Sequence, residues 1–425
     1  MSVRIGRTLP PAVASIGLRD LGHGLLAMRR KNKATAAFTD DLKEFFQVSQ
    51  CWLLSSGKAS LAIILQALRE LQPEKDEVLI PAFTCYSVPA AIFRVGLKIR
   101  ICDIEPDTLD FDYRELARQV SAPRLLCVIP THLFGVTADI PKVRAVIGKR
   151  EIAIVEDAAQ VMGGERRGRK AGTQGDVGFY SLERGKAFST VKGGIIVTNS
   201  PAIGEALKRK VAAIPPPGLS EQCIMALYAA ALAVFTRPWL YWIPKSLPFL
   251  RLGETRFEPD FSIKLLSDFQ SGMAADWRNR LLEDKRCRAE NSAFFEKLGI
   301  PPSCPPETLF SGPLRYPVLA ANREKKMAML RQSERLGLGA ADVYPGTVDT
   351  IPRLKGSIVG GCSVKARTIV ERIFTLPVHP LVTGAYLRKI ADLAGNREET
   401  GENYRQQPKI KEAGLGDGIQ EDIRR

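Results

Sequence analysis

Ile152-Ala-Ile-Val-Glu-Asp-Ala-Ala-Gln160 is an apolar run that ends in two adjacent carboxylates. With no polar alternation before Glu156, it reads as a strand buried on both faces, over Ile152 to Glu156. Similar runs lie outward on both sides: Glu77 to Pro81, Lys98 to Cys102, Arg124 to Pro130, Val177 to Ser181 and Gly194 to Thr198. Helical spacing of apolar residues separates them, over Ala59 to Leu71 and Ala90 to Val95. Strands alternating with helices predict an α/β fold whose mostly parallel, mixed sheet lies between helices. Ligands of such sheets gather at the carboxyl ends of the strands, where Glu156 and Asp157 stand.

The remaining sequence sets the bounds on this unit. The chain has 425 residues, 45% hydrophobic and 25% charged, which is ordinary for a globular protein and excludes wholesale disorder or a polytopic membrane protein. Its eight cysteines form no CxxC pair, and with only His23, His132 and His379 no metal site is expected. The thiols read as inert residues of a reducing cytosol. Of the net charge of +15, residues 1–35 hold +6, with seven cations opposed only by Asp20. No aromatic residues are interleaved to stack bases, so no nucleic-acid partner is expected. The segment reads as a solvated basic arm, with attraction to an anionic membrane or a nucleotide diphosphate as the alternatives. No apolar core of a secretory signal appears in it.

Residues 36–260 form the predicted large domain, interrupted at about 211–250 by an apolar insert. Within the insert, Cys223 to Phe235 is continuously apolar, Thr236-Arg-Pro238 breaks the run, and Trp239 to Ile243 resumes it. This is too short to span a bilayer; it reads as a covered helix or as one lying in the membrane interface, giving a peripheral contact through 223–243. Residues 261–395 read as a smaller C-terminal α+β domain: a long helix over Phe269 to Leu298, a strand over Arg315 to Ala320, a helix over Arg323 to Leu336, the strand Phe374 to Pro377 and a helix over Ala385 to Leu393. Residues 396–425 mix both charge signs without apolar periodicity and read as a mobile tail.

Three features fall at strand ends or helix starts. Ser55-Ser-Gly-Lys-Ala59 precedes a helix, where backbone amides can meet an anion, although Ser-Gly is also an ordinary cap. Asp157 and Gln160 follow the Ile152 strand, and a buried carboxylate there calls for a cationic partner. Ser181-Leu-Glu-Arg-Gly-Lys186 places a lysine in a loop closed by Gly193-Gly194; a lysine so held can form a Schiff base, although loop lysines are more often simply solvated.

With Pro81-Ala-Phe-Thr84, Asp103-Ile-Glu-Pro-Asp-Thr-Leu109, Thr131-His-Leu-Phe-Gly135, Gly175-Asp-Val-Gly-Phe-Tyr-Ser181 and Leu376-Pro-Val-His-Pro380, these features resemble the DegT-type sugar aminotransferases over residues 36–395. The resemblance implies the pyridoxal 5'-phosphate fold type I. It implies that Lys186 carries the cofactor and shuttles the proton, that Asp157 protonates the pyridine nitrogen, and that Gln160 lies near the ring oxygen. It assigns the phosphate to Ser181 with the backbone of Gly57, Lys58 and Ala59. Lys192, the rival lysine, stands where the family usually has a glutamate. The implied reaction moves an amino group from an amino acid, glutamate in the first instance, to a keto sugar carried on a nucleotide. A cytoplasmic homodimer acting in surface polysaccharide or glycoconjugate synthesis, beside the inner face of the membrane, completes the expectation. The departures are Cys85 where a ring-stacking aromatic is common, with Tyr86 next to it as the substitute; Ala187 for asparagine; and Ile263-Lys-Leu-Leu-Ser267 for an Asn-x-Arg segment. Dehydration of a deoxysugar is an alternative, weakened because Lys186 stands where those relatives carry histidine. A membrane-peripheral or interaction protein that keeps the fold without turnover is another.

Overall fold

The computed structural model describes residues 5–395 apart from 31, 251, 254, 306–307 and 310–311; the tail expected over 396–425 lies outside the described residues. In chain order the strands are β1 (Gln50–Leu54), β2 (Glu77–Pro81), β3 (Lys98–Cys102), β4 (Leu125–Val128), β5 (Ala153–Asp157), the two-residue ribbon β6 (Glu165–Arg166) and β7 (Arg169–Lys170), β8 (Val177–Ser181), β9 (Gly194–Thr198), β10 (Tyr316–Leu319), β11 (Ile358–Gly360) and β12 (Ile373–Leu376). Eight of them make one sheet in the order β1-β9-β8-β5-β4-β2-β3-β11. Neighbours from β8 to β11 run parallel, and only β9 lies antiparallel to both of its neighbours. The mixed, mostly parallel sheet of the sequence reading is therefore present.

β2, β8 and β9 are buried along their whole length, as strands covered on both faces must be. Helix Gly57–Leu71, with ten buried residues, packs between one face of the sheet and the neighbouring helices Ser87–Arg94 and Pro201–Ala212. On the other, Phe38, Leu42 and Phe46 form one stripe of helix Lys33–Phe46, and Phe46 stacks on Tyr180 of β8 at 4.5 Å. The smaller unit pairs β10 with β12 antiparallel, in register from Tyr316↔Leu376.

Three features differ from the expectation. β1 and β11 add both edges of the sheet, and β11 reaches the edge beside β3 from within the segment assigned to the smaller domain. The long helix expected over Phe269 to Leu298 is two helices, Asp268–Met273 and Trp277–Lys297. The chain turns between them to bury Trp277, whose indole N–H donates to Asp41. The basic arm is not simply solvated. Leu9, Val13 and Ala14 are buried, Thr8 N–H donates to Pro238 at 2.7 Å, and Leu9 N–H donates to Gly337 at 2.9 Å. His379, whose pKa burial pulls down to about 4, is neutral and donates from Nε2 to the Pro10 carbonyl at 2.8 Å. The apolar insert, expected as a helix too short to span a bilayer, is a helix over Leu219–Phe235 followed by a short one over Trp242–Lys245, and among the described residues no helix is long and apolar enough to cross a membrane.

Helix Leu18–Ala27 crosses helix Asp268–Met273 at glycine contacts. A Cβ on Gly272 would lie 2.4 Å from the Ala27 Cβ and 2.6 Å from the His23 carbonyl oxygen. Gly272→Val should therefore lift the first helix off the body, at a cost of about 1–3 kcal/mol. Urea unfolding should show a lower midpoint, and limited proteolysis should cut faster within residues 18–30. An unchanged midpoint would mean that the crossing adds nothing to stability.

Candidate active site

Several strands end around one cavity of about 480 Å3, whose lining includes Gly57, Lys58, Asp157, Gln160, Ser181 and Lys186. β1 delivers Ser55 and Ser56 to the start of helix Gly57–Leu71, where Ser56 caps the helix by accepting Ala59 N–H at 3.1 Å. Gly57 faces the end of β8 so closely that a Cβ there would lie 3.0 Å from the Ser181 Cβ. The amide at a helix start and the hydroxyl of Ser181 thus share a concave corner where only glycine leaves room. Lys58 at the same corner lies 3.6 Å from Glu258 and 5.2 Å from the centre of the Phe261 ring.

Asp157 ends β5. One of its oxygens accepts Ala159 N–H at 3.0 Å. Desolvation raises its pKa, partly countered by that N–H and by the nearby charge of Lys186. A buried carboxylate in this state gains from any hydrogen-bonding cation that enters the cavity. Its neighbour Glu156 points to the opposite side of the strand and is fully buried. There it accepts Gly172 N–H at 2.7 Å and the amides of Gln174 and Gly175, and lies 3.0 Å from His132 Nε2. His132 Nδ1 accepts Ala138 N–H at 3.1 Å, which puts the ring proton on Nε2, facing Glu156.

Lys186 lies in the loop between β8 and β9. Leu182 N–H bonds to Gly193 and Thr190 N–H to Leu182, closing the loop on itself. Val191, a buried β-branched residue, is held at φ 76, a conformation that costs about 1–3 kcal/mol and marks a tightly determined segment. Three distant elements grip the loop from outside. Ala14 N–H donates to Arg184 O at 3.0 Å, Tyr228 OH accepts from Arg184 at 2.8 Å, and the buried Arg288 donates to Ala187 O at 3.2 Å.

The other residues singled out from sequence are placed as follows. Gln160 donates to Tyr344 OH at 2.9 Å and accepts Phe134 N–H at 3.2 Å, so it meets the cavity with its amide already oriented. The Ala59 amide is spent on the Ser56 cap and is not part of the lining. Tyr86 does not line the cavity either. It is buried with its hydroxyl toward Thr350 and Gly346, and Cys85 takes the wall instead. Lys192 does line the cavity, exposed at its rim, but the lysine whose charge acts on Asp157 is Lys186. Tyr344, Arg288, Tyr228 and Ala14 were not anticipated from the sequence, since nothing local marks them. Glu156 and His132 stood inside quoted motifs without an assigned role.

Because Asp157 is more readily protonated in the folded chain than in the unfolded one, its ionised form costs stability above the ordinary carboxylate pKa. That cost vanishes once the pH falls below it. Asp157→Asn should therefore raise the melting temperature of the cofactor-free protein at pH 8, by on the order of 2 °C. The gain should shrink as the pH approaches about 4. Thermal melts of both proteins across that range would show it, and equal midpoints at pH 8 would refute the cost assigned to Asp157.

Residues 27–221 match the model of the DegT/DnrJ/EryC1/StrS aminotransferase family. An L-glutamine:2-deoxy-scyllo-inosose aminotransferase of Streptoalloteichus tenebrarius is 31% identical over 175 residues, 41% of either chain. The chain thus spans about two fifths of the length of the curated relatives it matches. Among solved structures, the sugar aminotransferase CalS13 from Micromonospora echinospora superposes with a TM-score of 0.73 at 19% identity, covering 92% of this chain and 100% of that one. An E. coli GDP-4-keto-6-deoxy-D-mannose-3-dehydratase with bound hydrated PLP gives 0.71 at 16% identity, covering 92% and 100%. The fold is thus that of these enzymes along nearly the whole chain, and the stretch similar to the DegT/DnrJ/EryC1/StrS aminotransferase family, residues 27–221, is the one that supplies Gly57, Asp157, Gln160, Ser181 and Lys186.

Proposed function

We propose that the protein is a pyridoxal-phosphate-dependent aminotransferase that moves an amino group from an amino acid to a keto sugar carried on a nucleotide. The observation that carries this reading is the convergence of Lys186, Asp157, Gln160, Ser181 and Gly57 on one cavity. The residues fit the cofactor on two independent grounds. The corner between Gly57 and Ser181 is one that a Cβ would fill, and the desolvated Asp157 carboxylate favours a cationic hydrogen-bond donor such as a protonated ring nitrogen. When bound, the cofactor would supply an electron sink, through which an amino group passes from donor to acceptor.

The chain's own residues would do the rest. Ser181 Oγ with the amides of Gly57 and Lys58 would bind the phosphate. Asp157 would hold a proton on the ring nitrogen. Lys186 Nζ would carry the cofactor covalently and, once released, would take a proton from the donor's carbon and return one to the acceptor's. The gripped loop limits how far that amine can wander while it does so. Gln160, fixed by Tyr344 and Phe134, would orient the ring oxygen. The cations Lys58, Lys192 and Lys264 in the lining support an acceptor that bears a diphosphate. Lys186 itself speaks against the dehydration reading, and the complete set of cavity residues speaks against a fold kept without turnover.

The purified protein mixed with pyridoxal phosphate should show a visible absorption band that glutamate or glutamine bleaches. Lys186→Ala should lack the protein-linked band and lose amino transfer by about 10²–10⁴-fold or more. A band of equal intensity in both proteins would move the covalent role to another amine, Lys192 first. No band in either would remove the aminotransferase reading altogether.

A further inference from the structure

Helix Leu219–Phe235 carries one charged residue, Glu221, in seventeen. A helix that is apolar all round is normally covered on every side. Here only one side is covered, where Met225, Ala226, Ala229 and Leu232 pack with Phe269 and Met273. On the opposite side Leu219, Ile224, Leu227 and Val234 are exposed, Leu227 at 73%. Helix Leu18–Ala27 lies alongside, joined to the same cluster by Leu21 and Met28. Leu18 and Leu25, each about one helical turn before these, are exposed at 83% and 54%. Trp239, 59% exposed, follows the end of the longer helix.

The surround of this apolar surface is basic. Arg19, Arg29, Arg30 and Lys33 on and after the first helix are exposed, as is Arg237 after the second. The acid of the first helix, Asp20, is buried against Arg280 at 3.1 Å, and Glu221 is neutralised by Lys264. A second copy of the chain seated here would bring like charges together. An anionic bilayer meets both the apolar surface and its charge. We infer that these two helices dock the protein on an anionic membrane surface, lying in the interface rather than crossing it. Because Pro217, Glu221 and Met225 of the docking element also line the cavity, its mouth would open beside the lipid headgroups.

The test is co-sedimentation of the full chain with vesicles, using phosphatidylcholine alone and phosphatidylcholine with 30% phosphatidylglycerol, at low and high salt. The expected result is pelleting with the anionic vesicles, weakened by salt and by neutral lipid. Arg29→Glu/Arg30→Glu should lower partitioning by roughly thirtyfold or more, at the usual contribution of each basic residue near an anionic surface. Ile224→Glu/Leu227→Glu should abolish it, with both variants keeping the parent's circular dichroism and cofactor absorption. Three results would overturn the inference: no pelleting of the parent, pelleting indifferent to both variants, or a stable oligomer that Ile224→Glu/Leu227→Glu dissociates. The last would make a second copy the occupant of this face.

Discussion

The candidate site depends on the register of a single strand. Side chains alternate across β5, so Glu156 and Asp157 must point to opposite faces, and a slip by one residue would exchange them. Glu156 fixes the register. Fully buried, it answers three backbone amides from the Gly172–Gly175 turn and faces His132, partners that a carboxylate of this depth requires. With that side committed, Asp157 has nowhere to go but the cavity, where its shortage of protein partners becomes the reason to receive a ligand. Thr131 bridges to Asp157 in parallel and His132 N–H donates to Asp157 O at 3.0 Å, so the segment after β4 braces the end of β5 on one side while β8 pairs with it on the other.

The lysine loop shows how the rest of the chain bears on that point. Its own closure places Lys186 near Asp157, yet the outer grip comes from the N-terminal segment, the apolar insert and the helix Trp277–Lys297 together. Each contact is one hydrogen bond, worth about 0.5–1.5 kcal/mol net, or somewhat more where the guanidinium of Arg288 takes part. Their value is collective: they restrict the same few residues from three directions, and Val191 stays at positive φ only because the surroundings over-determine it. The insert is therefore tied to the chemistry through Tyr228 while its other side stays open to solvent.

How much of this could be read from the sequence follows from the range of the interactions. β2, β3, β8 and β9 were legible to the residue: β2, β8 and β9 because burial on both faces leaves a largely apolar run, and β3 because Lys98-Ile-Arg-Ile-Cys102 alternates. The Ser-Gly helix start and the Asp157 strand end were legible too, because each is a local pairing of turn chemistry with a strand boundary. β1 and β11 were not. One is a half-buried strand, and the other is three residues long and has meaning only beside β3, more than 250 residues earlier in the chain. Gln160 meets Tyr344 across 184 residues and Arg288 meets Ala187 across 101, separations that no periodicity encodes. Tyr86 misled for a related reason. Its ring is adjacent to the cavity wall in sequence, but it is the first turn of helix Ser87–Arg94 that decides which way it faces.

The departure at Ile263-Lys-Leu-Leu-Ser267 has a consequence for the phosphate corner. Lys264 runs beside Ser55, with Ser55 N–H donating to Lys264 O at 2.8 Å, and Leu54 bridges to Leu265. This segment of the same chain therefore walls the corner, and its ammonium is already paired with Glu221, as Lys58 is with Glu258. Neither pair opposes an incoming phosphate by much. Glu258 is 58% exposed and sits 3.6 Å from Lys58, and exposed pairs of that kind contribute about 0–1 kcal/mol. A phosphate held by the Gly57 amide, the Ser181 hydroxyl and the helix dipole would gain more by taking Lys58 than Glu258 would lose by returning to water. The carboxylates around the cavity thus keep its lysines balanced and soluble without closing it to a more strongly held anion.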